Sequence, residues 1–182
     1  MAKLTWAGQS CFQISVSNSK DHSADIVINP LKEVKADILL LTAKDNKIKT
    51  TKSESFVIDG PGEYEVKEVF IQGIPSSQNT IYVLEAEGIR FCHLGELGQK
   101  ELTDDQLERI GSIDVLMISA TDEAQKIIGQ IEPKVVIPMD YENASKFLKT
   151  MGKNAVTPQE KFIVKDSTLP KEGAMEIVVL QP

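Results

Sequence analysis

Apolar and polar positions alternate through the first third of the chain. Lys3 to Trp6, Cys11 to Ser17 and Ala24 to Asn29 either switch residue by residue or run apolar over strand length. Such a period of two marks strands, because successive side chains leave a strand on opposite faces. The stretch SNSKDHS between the second and third runs is turn chemistry, which places His22 in an exposed turn. Asn29-Pro30 ends the third run, since proline has no N–H to continue a ladder. Ile38 to Thr42 is short and uniformly apolar, as a strand buried on both faces must be. Ser55 to Asp59 is a further short strand, closed by Gly60-Pro61-Gly62. The β-rich runs Tyr64 to Ile74 and Thr80 to Ala86 follow, and Glu87-Gly88 turns the latter into the run that opens at Ile89. Nothing between Ile38 and His93 has helical spacing.

The period changes in the second half. Thr103-Asp104-Asp105-Gln106 has the form of a capping box, and Leu107 and Ile110 share one face until Gly111. Asp114 to Ser119 predicts a buried strand and Asp122 to Ile131 a helix with Ala124, Ile127, Ile128 and Ile131 on one side. Lys134 to Pro138 predicts another buried strand, and Glu142 to Met151 a helix stopped by Gly152. The tail returns to strand at Glu160 to Val164 and Met175 to Leu180. Strands alternating with helices across short loops imply a parallel sheet covered by helices. The segment from Ala36 to Asp45 also echoes that from Ile113 to Asp122, as two related halves facing each other in a two-layer sheet core would.

Composition narrows the setting. The 182 residues suit a single domain over 1–182, with 41% hydrophobic and 26% charged residues. A net charge of -7 and a pI near 4.9 argue against nucleic acid as partner. There is no secretory leader and no apolar run long enough for a membrane, so the expected home is cytoplasmic and the expected partner, if any, a second copy of the chain. Cys11 and Cys92 lie inside strand-like runs and read as buried thiols, not a disulfide.

Candidate chemistry centres on Ile89 to Gly98, IRFCHLGELG, where an alternating strand breaks into a glycine loop carrying His93 and Glu96. Each residue alone also has an ordinary reading, His93 as a satisfied structural histidine and Glu96 as a solvated acid. The segment AKDNKIKTTK carries Lys44, Lys47, Lys49 and Lys52 against Asp45, and reads first as an exposed loop.

LTWAGQSCF, ADILLLT, FVIDGPGEYEVKEVFIQGIP, NTIYVLEAEGIRFCHLGELG and IEPKVVIPMDY together resemble the metallo-β-lactamase superfamily. The likeness is strongest to its small, predicted zinc-dependent hydrolases related to ascorbate-phosphate lactonase. It covers nearly the whole chain and implies an α/β fold, the four-layer αββα sandwich, with a metal site where strand-end loops meet. The pattern departs at the ligands. The family's His-x-His-x-Asp-His falls on Ala43, Asp45, Lys47 and Ile48; its Asp-Pro is Asn29-Pro30, and its early Gly-His-Ser is Gly8-Gln9-Ser10. The loop after Pro75 reads Ser76-Ser77-Gln78, the bridging aspartate is Glu96, and the final histidine is Asp140. Catalytic zinc needs about three protein ligands and an open position for water. The resemblance with these losses implies a non-catalytic binding or assembly module with no cofactor and no catalytic residue. The alternative is a hydrolase of a phosphoester or lactone with Mg²⁺ or Mn²⁺ among Asp45, His93, Glu96 and Asp140. In the first case Lys44 or Lys47 is expected against Glu96 or Asp140, an ammonium taking the place of zinc.

Overall fold

The alternating N-terminal runs fold as an antiparallel meander, β1 (Ala2–Trp6), β2 (Phe12–Ser19) and β3 (His22–Ile28), continued in parallel by β4 (Ile38–Leu40) and β5 (Phe56–Ile58). The computed structural model describes residues 1–19, 22–43, 55–142, 144–153, 155–171 and 173–182. A second meander follows, β6 (Gly62–Val66), β7 (Val69–Pro75), β8 (Thr80–Ala86) and β9 (Ile89–His93). The chain then alternates through α1 (Asp104–Ile110), β10 (Val115–Ser119), α2 (Ala124–Ile131), β11 (Val135–Met139) and α3 (Ser145–Thr150), and ends with β12 (Phe162–Val164) and β13 (Glu176–Ile177). The strands form two mixed sheets, ordered β12-β1-β2-β3-β4-β5 and β13-β11-β10-β9-β8-β7-β6.

The inner faces of the two sheets make the main core, with Leu4, Phe12 and Ile26 from the first and Tyr82, Phe91 and Met117 from the second. Tyr82 ties the layers, its hydroxyl donating to the carbonyls of Leu41 and Ile58. On the outer face of the second sheet, Ile81, Cys92 and Leu116 pack under Ile110, Ile127 and Phe147 of the three helices. The outer face of the first sheet carries a smaller cluster, Cys11, Val27 and Leu39, against Val34 and Ala36. This is the α/β sandwich implied by the sequence. Both cysteines are free and buried, and burial pushes both thiols up from their ordinary range. No described helix is long and apolar enough to cross a membrane.

The sequence echo has a structural counterpart. Asp37 stands before β4 and Asp114 before β10, one interior strand in each sheet. The Asp37 carboxylate accepts the Asp25 N–H and pairs with Lys67; the Asp114 carboxylate accepts the Arg90 N–H and pairs with Lys134. Their carbonyls accept from Phe56 and Val135, the residues opening or beside the next parallel strand. Each aspartate therefore staples the start of a parallel pair. The Asp114 side chain is 14% exposed and that of Asp37 32%, so water compensates less at Asp114. Asp114→Ala is expected to lose about 2 kcal/mol and Asp37→Ala about half of that, read by urea denaturation; equal losses would remove the burial argument.

The structure departs from the sequence reading in four places, one being the tail, where the strand expected over Met175 to Leu180 is only Glu176–Ile177 with an isolated bridge at Leu180. Tyr64 to Ile74 is two strands, not one, because Lys67 and Glu68 both take left-handed backbone (φ 50° and 62°) and make a two-residue hairpin turn. His22 opens β3, paired with Ser19, instead of lying in the turn. The helices α2 and α3 begin later than Asp122 and Glu142. Asp122 does not cap α2, whose N-cap Glu123 makes no side-chain cap bond; its carboxylate pairs with Lys146 of α3 instead.

Candidate functional site

Every family-related position described lies at one end of the sandwich, where the parallel strands β3, β4, β9, β10 and β11 finish. That end is where open α/β sheets place their ligands. Three of these positions, Gln9, Asn29 and Asp140, hold left-handed backbone (φ 49°, 47° and 56°). A non-glycine residue there costs on the order of 1 kcal/mol and persists only where neighbours hold it. The neighbours are visible. The Asn29 amide donates to the hydroxyls of Ser10 (3.1 Å) and Thr42 (2.8 Å) and accepts the Thr42 N–H (2.9 Å). The Gln9 carbonyl accepts from Trp6 Nε1 (2.7 Å) and the Asp140 N–H (3.3 Å), and the Asp140 carboxylate accepts from Ser119 Oγ (2.8 Å).

His93, at the end of β9, is fully buried. Gly95 N–H donates to Nδ1 (3.1 Å), so the proton of a neutral ring sits on Nε2 and is donated to the Ser10 carbonyl (3.0 Å). Burial pushes the imidazole down to about 4, against the opposing pull of the Ser10 carbonyl, which keeps the ring neutral near pH 7. The Phe12 ring meets its edge at 5.7 Å between centroids. With one nitrogen accepting and the other donating, no lone pair remains for a metal or a substrate proton.

The loop beyond His93 turns out over a cavity of about 580 Å³ lined by Glu96, Lys100, Ser119, Thr121, Glu123 and Asp140 among others. Glu96 and Asp140 share this opening, and both are exposed. Gly95 and Gly98 adopt φ of 61° and 64°, and the loop is pinned by Asn79 Nδ2 donating to the Leu94 carbonyl (2.8 Å). Thr42, Asn79 and Ser119 are the residues that sequence reading missed. Thr42 and Ser119 occupy matching places in the internal echo, which was the available signal. Ala43 is half-buried; Lys44, Asp45, Lys47 and Ile48, with the expected ammonium pairing, lie outside the described residues.

The profile of the "Beta-lactamase superfamily domain" matches residues 3–140. The chain belongs to that superfamily. Among solved structures, this superfamily member is similar along its entire length to a Thermotoga maritima protein described as a candidate zinc-dependent hydrolase of the metallo-β-lactamase superfamily. Identity is 30%, TM-score 0.81, and each chain is covered in full. A metallo hydrolase from Ignicoccus hospitalis shares the fold at 15% identity and TM-score 0.63, with 90% of this chain and 99% of that one covered. The diiron β-hydroxylase of Streptomyces venezuelae shares it at 11% identity and TM-score 0.59, over 90% of this chain and 54% of that one. No curated protein matches the chain.

These likenesses overturn the expectation of no cofactor. The superfamily normally binds metal, and a neighbour alike from end to end is described as zinc-dependent, so a cofactor-free protein is not what similarity implies. The donors on view nevertheless do not fit a catalytic zinc. Among the described residues no three of His, Cys, Asp and Glu stand together as a metal-holding group, and the lone pair of His93 is already taken by Gly95.

Proposed function

We propose that this superfamily member binds a small polar molecule in its strand-end cleft without hydrolysing it. The observation that carries the reading is the state of His93: the imidazole retained at the family's strand end is buried, neutral and bonded at both nitrogens to backbone. A hydrolytic centre in this fold needs ligands that make bound water a nucleophile, and the described side chains offer no set of them. Binding is another matter. A volume of about 580 Å³ is of the size that holds a small ligand. Gln78, Gln99, Lys100, Ser119 and Thr121 offer both donors and acceptors, and Leu97 and Ile127 give apolar wall.

The reading concerns turnover, not metal content. The protein, purified without chelator, is analysed for bound metal and then loaded in turn with Zn²⁺, Mn²⁺ and Mg²⁺. Each form is assayed on chromogenic phosphodiester, lactone and β-lactam substrates. The expected outcome is no turnover above buffer in any form, with bound ion or without. Metal-dependent hydrolysis that vanishes on chelation overturns the reading in favour of a rearranged hydrolase. The binding half is tested by thermal shift against a panel of small polar metabolites, where a ligand that binds only the native state raises Tm.

A further inference from the structure

On the lateral side of the sandwich, away from the cleft, one strand edge is left unpaired among the described residues. β6 is the terminal strand of the seven-stranded sheet, and its register with β7 runs without a shift from Gly62↔Gly73 to Val66↔Val69. Strand edges are normally blunted by a bulge, an internal proline or charged side chains. β6, GEYEV, has no bulge and no internal proline, and its only charges are the two glutamates. Its outward residues Glu63 and Glu65 are exposed and, among the described residues, make no ion pair. On the other face Tyr64 and Val66 are partly buried against the core, and the Tyr64 ring meets the edge of Phe56 from β5 at 6.3 Å. Phe56 is 47% exposed, so the open edge has an apolar shelf on one side and two free carboxylates on the other.

The charges decide what can pair there. Any face-matched antiparallel pairing of two β6 strands that overlaps by more than one residue sets Glu63 or Glu65 opposite one of the same two acids in the second copy. Like charges directly opposite across a ladder are destabilising. A strand of opposite sign meets no such penalty, and the net charge of -7 attracts it at long range. We propose that the free edge of β6 is a strand-addition site for an extended peptide segment in which Lys or Arg alternates with apolar residues. The backbone ladder supplies affinity, the basic residues face Glu63 and Glu65, and the apolar residues between them cover Phe56 and Tyr64.

The test uses the whole chain and the peptide acetyl-Lys-Val-Lys-Val-Lys-amide, followed by calorimetric titration and amide hydrogen exchange. The alternating peptide should bind at least about tenfold more tightly than its scramble Lys-Lys-Val-Val-Lys, as two matched charge pairs and a matched apolar face require. It should slow exchange at residues 62–66, and its backbone N-methylated form should not bind. The double variant Glu63→Lys/Glu65→Lys, altered only at exposed positions, should lose this peptide and gain acetyl-Glu-Val-Glu-Val-Glu-amide. Equal binding of the scramble or the N-methylated form reduces the effect to charge attraction and overturns the proposal. So do absence of binding, a double variant that keeps the original preference, and concentration-dependent self-association that slows the same amides.

Discussion

Acidification from pH 6.5 to pH 4 is expected to remove about 3 kcal/mol of stability through His93 alone. The imidazole is pushed down to about 4 in the fold by burial, whereas an unfolded chain titrates it near 6.5. Between those values the unfolded state takes up a proton that the native state refuses, so stability falls as pH falls across the window. The contribution is complete above about 6.5 and gone below about 4. Protonation would also put a hydrogen on Nδ1, facing the N–H of Gly95 that it now accepts. Urea unfolding of the native chain and of His93→Gln at pH 7, 5.5 and 4 isolates the effect, because the carboxylates and His22 are common to both. A wild-type pH dependence matching that of the variant would show that His93 is not held neutral.

Gly95→Ala is expected to cost about 3 kcal/mol, or roughly 9 °C in Tm for a chain of this size. At φ +61° a side chain is strained by itself, and the added Cβ would fall on Asn79 Nδ2 and within 3.0 Å of Thr42. Asn79 would have to leave the Leu94 carbonyl, and the His93 Nδ1 bond from Gly95 would shift with the loop. Gly88→Ala is the control: its φ is +71°, but no atom lies within 4 Å of the new Cβ, so only the backbone term of about 1 kcal/mol remains. Similar losses at both positions would mean that the loop beyond His93 is not packed as described.

Local chemistry was readable from sequence, and long-range chemistry was not. The Thr103 to Gln106 capping box forms with both reciprocal bonds, because all its atoms lie within one turn. The Lys67-Glu68 hairpin was invisible because its turn takes left-handed backbone at both positions without the Asn-Gly usually found there. The family positions could be named from the resemblance, and the clustering of the described ones at one end follows from the strand order. The sequence offered two readings of His93, site residue and satisfied structural histidine, and could not choose between them. The choice depends on a carbonyl 83 residues earlier, at Ser10, and on a main-chain N–H two residues later whose direction only the folded loop sets. The exposure of Glu96 agrees with its reading as a solvated acid, whereas its sharing of one opening with Asp140 is set by the way two separate loops leave their sheets.

The pairing of β1 with β12 bears on biosynthesis. Ala2, Lys3 and Leu4 find their outer partners at Val164, Ile163 and Phe162, so the first sheet emerges from the ribosome with one flank bare and stays so until those three later residues have followed it. Residues 2–4 wait for residues 162–164, and the nascent chain must keep that flank from other polypeptides in the meantime.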